Sequence, residues 1–181
     1  MSSSLCLFVA LLTLCFLLLT TADCFANPRP GRTVSFNQDW RFHLGDVNNA
    51  QDAGFNDSQW RQLDLPHDWS IEGPFDERAP AGTGGGALPG GLGWYRRTFT
   101  VPASSKGKLI FIEFDGVYRN SEVWINGHYL GKRPYGYSTF EYELTPHLFY
   151  GAKTNVIAVK VDNSQQPNSR WYSGSGIYRN V

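Results

Sequence analysis

From Asn27 to Val181 no segment carries a sustained helical period, and the apolar residues fall instead into short runs with a two-residue repeat, the pattern of strands with alternating faces. In Gly107–Asp115, Leu109, Phe111 and Glu113 alternate against Ile110, Ile112 and Phe114, which predicts a strand covered on both faces and central in its sheet. Residues 122–130 place Asn126-Gly127 between two β-forming runs, the strongest short signal for a type I′ hairpin turn. Asn155–Asp162 carries Ile157, Val159 and Val161 on one face, and Tyr95–Val101 and Tyr137–Leu144 behave similarly. With Asp39–Leu44 and Trp60–Leu65 the reading gives seven or eight strands, enough for an all-β sandwich of two sheets.

Ile71–Gly93 breaks this pattern. It has little apolar periodicity and contains the run Gly82-Thr-Gly-Gly-Gly-Ala-Leu-Pro-Gly-Gly-Leu-Gly93. A loop of that length inside a compact domain is either functional or a mobile surface segment. It lacks the Gly-Lys-Ser/Thr ending of a phosphate cradle.

Leu5–Leu19 is an almost unbroken apolar run, short for a membrane span and followed by small residues at Thr20-Thr-Ala22 and Cys24-Phe-Ala26. It reads as a signal peptide over residues 1–26, which predicts a secreted or periplasmic product. An uncleaved anchor and lipidation at Cys24 are the alternatives, the first because Met1-Ser-Ser-Ser4 carries no basic side chain. Cys6, Cys15 and Cys24 all lie in this segment, so a mature domain over residues 27–181 holds neither thiol nor disulfide and depends on packing. The 16 Lys and Arg face 16 Asp and Glu, of which only Asp23 precedes Arg29, so the mature charge is near +1 and dispersed. That excludes a concentrated basic face for nucleic acid, and the length excludes a catalytic barrel of roughly 250 residues.

Chemistry gathers near the C-terminus, in Asn168-Ser-Arg-Trp-Tyr-Ser-Gly-Ser-Gly-Ile-Tyr-Arg179. The planar guanidinium of Arg170 is suited to grip two vicinal hydroxyls or a carboxylate, and Trp171 and Tyr172 offer flat faces for the C–H side of a pyranose. Gly174 and Gly176 permit the bend that turns such side chains into a cleft. His67 has no second histidine at ligand spacing, since His43, His128 and His147 are scattered, and is read as a hydrogen-bonded structural residue. Arg96 and Arg97 are expected to pair with cross-strand carboxylates, and Trp124 to fill core or an interface. Asn56-Asp-Ser58 matches a glycosylation acceptor, meaningful only in a eukaryotic secretory route.

Four motifs stand in register: Leu65-Pro-His-Asp-Trp69; Gly93-Trp-Tyr-Arg-Arg-Thr-Phe99; Val123-Trp-Ile-Asn-Gly127 with Gly131; and Trp171 with Ser175-Gly-Ile-Tyr-Arg179. From about Val34 onward the chain resembles the N-terminal sugar-binding domain of a β-galactosidase of glycoside hydrolase family 2. The resemblance implies a jelly-roll β-sandwich, similar to galactose-binding domains, with the Gly-rich loop attached. It also implies an immunoglobulin-like domain and a TIM barrel downstream in the full enzyme, where two glutamates about 5 Å apart perform retaining hydrolysis. No catalytic residue is therefore expected in this chain. By the same resemblance, Asp68, Arg170 and Trp171 are the expected substrate contacts, with a β-galactoside or related glycan as ligand and a homo-oligomer as a possible assembly. From the residues alone Asp68 also reads as a turn cap after Pro66.

Members of the family use sodium or magnesium ions. Where a bacterial relative has an aspartate beside sodium, this chain offers Asn168, Ser169 or Arg170, so no metal or other cofactor is expected from these residues. Two competing readings accompany the enzyme one: a secreted carbohydrate-binding module acting alone, and a structural domain that buries aromatics against neighbours.

Overall fold

The structure, a computed structural model, describes residues 32–169 and 171–181. The proposed signal peptide over residues 1–26 and the predicted contact residue Arg170 lie outside the described residues. Residues 35–181 form one compact unit. Its strands are β1 (Trp40–Leu44), β2 (Arg61–Leu63), β3 (Gly91–Thr100), β4 (Phe111–Phe114), β5 (Ser121–Ile125), β6 (His128–Arg133), β7 (Phe140–Glu143) and β8 (Thr154–Asn163). Short 3-10 turns interrupt the connections, and no α-helix occurs among the described residues. The fold is an all-β jelly-roll sandwich.

One sheet has six strands in the order β2-β1-β3-β8-β5-β6, and a second has β4 and β7 alone. All pairings are antiparallel. The long central pair β3–β8 runs from Gly91 opposite Asn163 to Thr100 opposite Thr154. Alternation assigns its faces: Tyr95, Ile157, Val159 and Val161 point into the core between the sheets, where they meet Ile112, Phe114 and Phe140 from β4 and β7. Burying each such aliphatic side chain contributes about 1.5–3 kcal/mol. The hairpin β5–β6 turns at Asn126 and Gly127 with φ of 51° and 84°, as a type I′ turn requires.

The central position predicted for Gly107–Asp115 is corrected. Only residues 111–114 form a strand, and β4 pairs with β7 alone. Leu109 is 69% exposed and Glu113 faces solvent, so one face of this stretch is wet. Only its inward face, with Ile112 and Phe114, packs into the core, so it is a half-buried strand rather than one covered on both faces.

The outer face of the large sheet carries a satellite cluster in which Trp94, Ala158 and Trp124 pack beneath Ala50, Phe55 and Trp60 of the β1–β2 connection. Arg96 holds that connection down. Its side chain is 1% exposed, with Nε 2.8 Å from Asp57 Oδ2. Nη1 donates to Ala50 O and, at 3.0 Å, to Asp52 O, and Nη2 donates to Phe55 O at 3.4 Å. The cross-strand pairing expected for Arg96 is thus replaced by a pairing to a loop, because its neighbours across the sheet are Arg41 and Ala158. Arg97 lies 3.7 Å over the Phe36 ring instead of against a carboxylate.

Candidate functional site

Residues 65–70 run alongside the C-terminal segment. His67 N donates to Ile177 O at 2.8 Å and Trp69 N to Ser175 O at 3.1 Å. On its other edge the same segment bridges Tyr118 through Gly176, with both amide bonds at 2.9 Å. Three distant parts of the chain therefore meet at one end of the sandwich.

Asp68 sits at this meeting point as the cap of the 3-10 turn Trp69–Ile71. Its Oδ1 accepts from Ser70 N at 2.9 Å and from Ser175 N at 2.7 Å. Its Oδ2 takes no hydrogen bond among the described residues. That oxygen lies over the bare Cα of Gly174, where any Cβ would overlap it. The carboxylate is half-buried. One oxygen is thus fixed by backbone and the other is left as a preset acceptor, so the cap and the hydroxyl acceptor that the sequence offers as alternatives are compatible in one side chain.

Behind Asp68 lies a polar layer that is buried at Ser70, Asn163 and Ser175 and partly open at Asn168. Ser70 Oγ lies 2.6 Å from Pro89 O and 2.7 Å from Ser175 Oγ. Asn163 Nδ2 donates to Ser175 Oγ at 2.8 Å, and Asn168 Nδ2 to Asn163 Oδ1 at 2.6 Å. Tyr118 completes the line by donating to Asn168 Oδ1 at 3.2 Å. Ser70, Asn163 and Ser175 are each at most 1% exposed, and buried polar groups persist only when paired in this way.

His67 lies beside this layer. Its Nε2 is 3.1 Å from Glu72 Oε1 and its Nδ1 is 2.7 Å from Tyr95 Oη. A carboxylate only accepts, so Nε2 carries the proton and Nδ1 accepts from the tyrosine hydroxyl. Burial lowers the His67 pKa and outweighs the opposing pull of Glu72. Hydrogen bonding to Arg61 is the main cause that lowers the Glu72 pKa, through a two-pronged contact at 2.7 and 2.6 Å. Burial holds the Tyr95 hydroxyl well above its ordinary pKa. His67 therefore has the structural place that the sequence suggests.

Trp171 is 63% exposed and Tyr172 68%. The Trp171 indole lies close enough to the Tyr137 hydroxyl to oppose the rise that burial gives its pKa, and Tyr137 packs on Tyr118 with ring centroids 5.3 Å apart. Asp68 is thereby linked through Ser175, Asn163 and Asn168 to Tyr118 and Tyr137. Sequence reasoning passed over Ser70, Tyr118, Tyr137 and Asn163, which carry no motif of their own. Serine and asparagine at strand ends are ordinary turn residues until long-range pairing gives them partners.

Asn168 and Ser169 present neutral oxygens only, and Asn168 Oδ1 already accepts from Tyr118 and from Ser173 Oγ at 3.4 Å. Among the described residues no group of three or more His, Cys, Asp or Glu is placed to hold a metal.

Residues 87–181 match the family model described as "Glycosyl hydrolases family 2, sugar binding domain". A β-galactosidase of Bacteroides ovatus is 64% identical over 152 residues, covering 84% of this chain and 18% of that protein. The crystal structure of a β-glycosidase from Bacteroides vulgatus superposes with a TM-score of 0.79 at 55% identity, over 83% of this chain and 20% of that one. A solved variant of a Bacteroides uniformis β-glucuronidase, described as a calcium-binding mutant, gives a TM-score of 0.70 at 32% identity over 82% of this chain and 17% of that one. The chain thus spans about a fifth of the length of these relatives.

Proposed function

The chain belongs to glycosyl hydrolase family 2 as its sugar-binding domain, and from that premise we propose that it forms one wall of the sugar subsite of an exported β-galactosidase. The catalytic carboxylates belong to a downstream barrel, residues 1–26 direct export, and residues 27–181 supply the wall. The observation that carries this reading is Asp68, whose Oδ1 is fixed by two backbone amides while Oδ2 takes no hydrogen bond among the described residues. Such an oxygen suits a sugar hydroxyl, because the acceptor is held in place before substrate arrives and loses little freedom on binding. Arg170 and Trp171 are assigned the other polar contact and the ring face.

A neutral galactoside is favoured over a glucuronide on electrostatic grounds. A carboxylate on the wall attracts hydroxyl protons but repels a uronate placed beside it. The test is to express the full-length protein and compare kcat/KM on nitrophenyl β-galactoside and nitrophenyl β-glucuronide. A preference for the galactoside is expected. Faster hydrolysis of the glucuronide overturns the assignment of sugar while leaving the family intact.

A further inference from the structure

Beyond Trp171 the exposed rings continue onto the β6–β7 connection. Tyr135 is 63% exposed and Tyr137 48%, with centroids 5.6 Å apart. This connection is held in place. The ring of Tyr118 sits against Gly136 so closely that a Cβ there would overlap it, Tyr178 Oη donates to Gly136 O at 2.9 Å, and Asn120 N donates to Pro134 O at 3.3 Å. The rings therefore stand on a backbone pinned from beneath.

Two features point to what this surface receives. Each exposed ring bears a hydroxyl or an indole N–H, so the surface offers flat apolar faces edged by polar groups, the composition suited to a pyranose. The surface is also continuous with the proposed sugar wall, since Tyr137 packs on Tyr118, whose hydroxyl bonds Asn168.

We propose that Tyr135 and Tyr137, extending from Trp171, form a shelf for the leaving-group sugar of an oligosaccharide substrate, next to the subsite that Asp68 walls. This rests on the function proposed above and adds a second sugar position to it. The shelf is a binding element, and it touches only the unit that departs.

The experiment uses the full-length protein with a β-galactosyl disaccharide and with β-galactosyl fluoride, whose leaving group has no ring to stack. In Tyr135→Ala and Tyr137→Ala, kcat/KM on the disaccharide should fall about threefold to tenfold, the range expected for losing one aromatic contact. On the fluoride it should stay within twofold of wild type. Tyr135→Ala removes one ring contact of Tyr137 but leaves its packing on Tyr118 in place, and the fluoride reports any general effect on folding. Unchanged disaccharide kinetics in both variants would overturn the shelf. An equal fall on both substrates, with a lower melting temperature or altered oligomeric state, would overturn it in favour of a contact surface between modules. A wrong sugar assignment is read from wild type alone, because the protein then hydrolyses the glucuronyl pair and the same comparison is made in that series.

Discussion

Replacing Asp68 by asparagine separates its two oxygens. In Asp68→Asn the amide oxygen still accepts from Ser70 N and Ser175 N, at the 2.9 and 2.7 Å positions of Oδ1, while Oδ2 becomes an N–H donor. In Asp68→Ala both amides lose their acceptor. Losing a cap costs about 0.5–2 kcal/mol and losing a hydrogen bond to a charged group about 1.5–3 kcal/mol. Allowing for water reaching a half-buried site, Asp68→Ala should lower stability by about 2–4 kcal/mol and Asp68→Asn by about half that or less. Activity should not follow the same order. If Oδ2 accepts from a sugar hydroxyl, both variants lose that bond, and kcat/KM of the full-length protein falls about tenfold to a hundredfold in each, as about 1.5–3 kcal/mol implies. The assay pairs steady-state kinetics with the first thermal unfolding transition. Asp68→Asn with kcat/KM within twofold of wild type would sink the substrate role, and equal destabilisation by both variants would sink the two-amide seat.

Two further outcomes follow from the buried groups. His67 is neutral in the folded state and its pKa is lowered by burial, so the unfolded chain binds its proton more readily. Its contribution to stability is complete above the unfolded value of about 6.5 and is lost as pH falls towards the lower folded value. Melting temperatures measured from pH 8 down to pH 5 should therefore decline more steeply in wild type than in His67→Gln, and a folded His67 that titrates above 6.5 by NMR would contradict this. Arg96→Met should cost about 3–5 kcal/mol, since it leaves Asp57 and three carbonyls without their donor. Hydrogen exchange should show the loss concentrated in residues 46–60, and uniform loss across the domain would argue against a local clamp.

The strands were legible because a two-residue alternation survives wherever one face meets the core, as in Ile157, Val159 and Val161. The hairpin at Asn126-Gly127 was legible for a different reason, because few residues accept two positive φ angles in succession. The pairing of β4 was not, since apolar residues on both sides of a strand do not say which faces are covered or how many strands flank it. At the site, the Leu65-Pro-His-Asp-Trp69 wording drew attention to Asp68, yet its division into one bonded and one unbonded oxygen depends on Ser175, which no local pattern joins to it. Arg96 was misassigned for the same kind of reason. A register read from neighbours in sequence does not foresee a loop folding back over the sheet.

The seat of Asp68 joins residues 107 positions apart. A nascent chain emerging from the ribosome holds the first half of this clasp long before the second exists. The seat can be completed only after Ser175 has cleared the exit tunnel, by which time the central strands have been available to pair. Assembly of the wall is therefore a late event, so shortened versions that stop ahead of the 174–177 segment should form β-structure yet leave Asp68 held by Ser70 N alone.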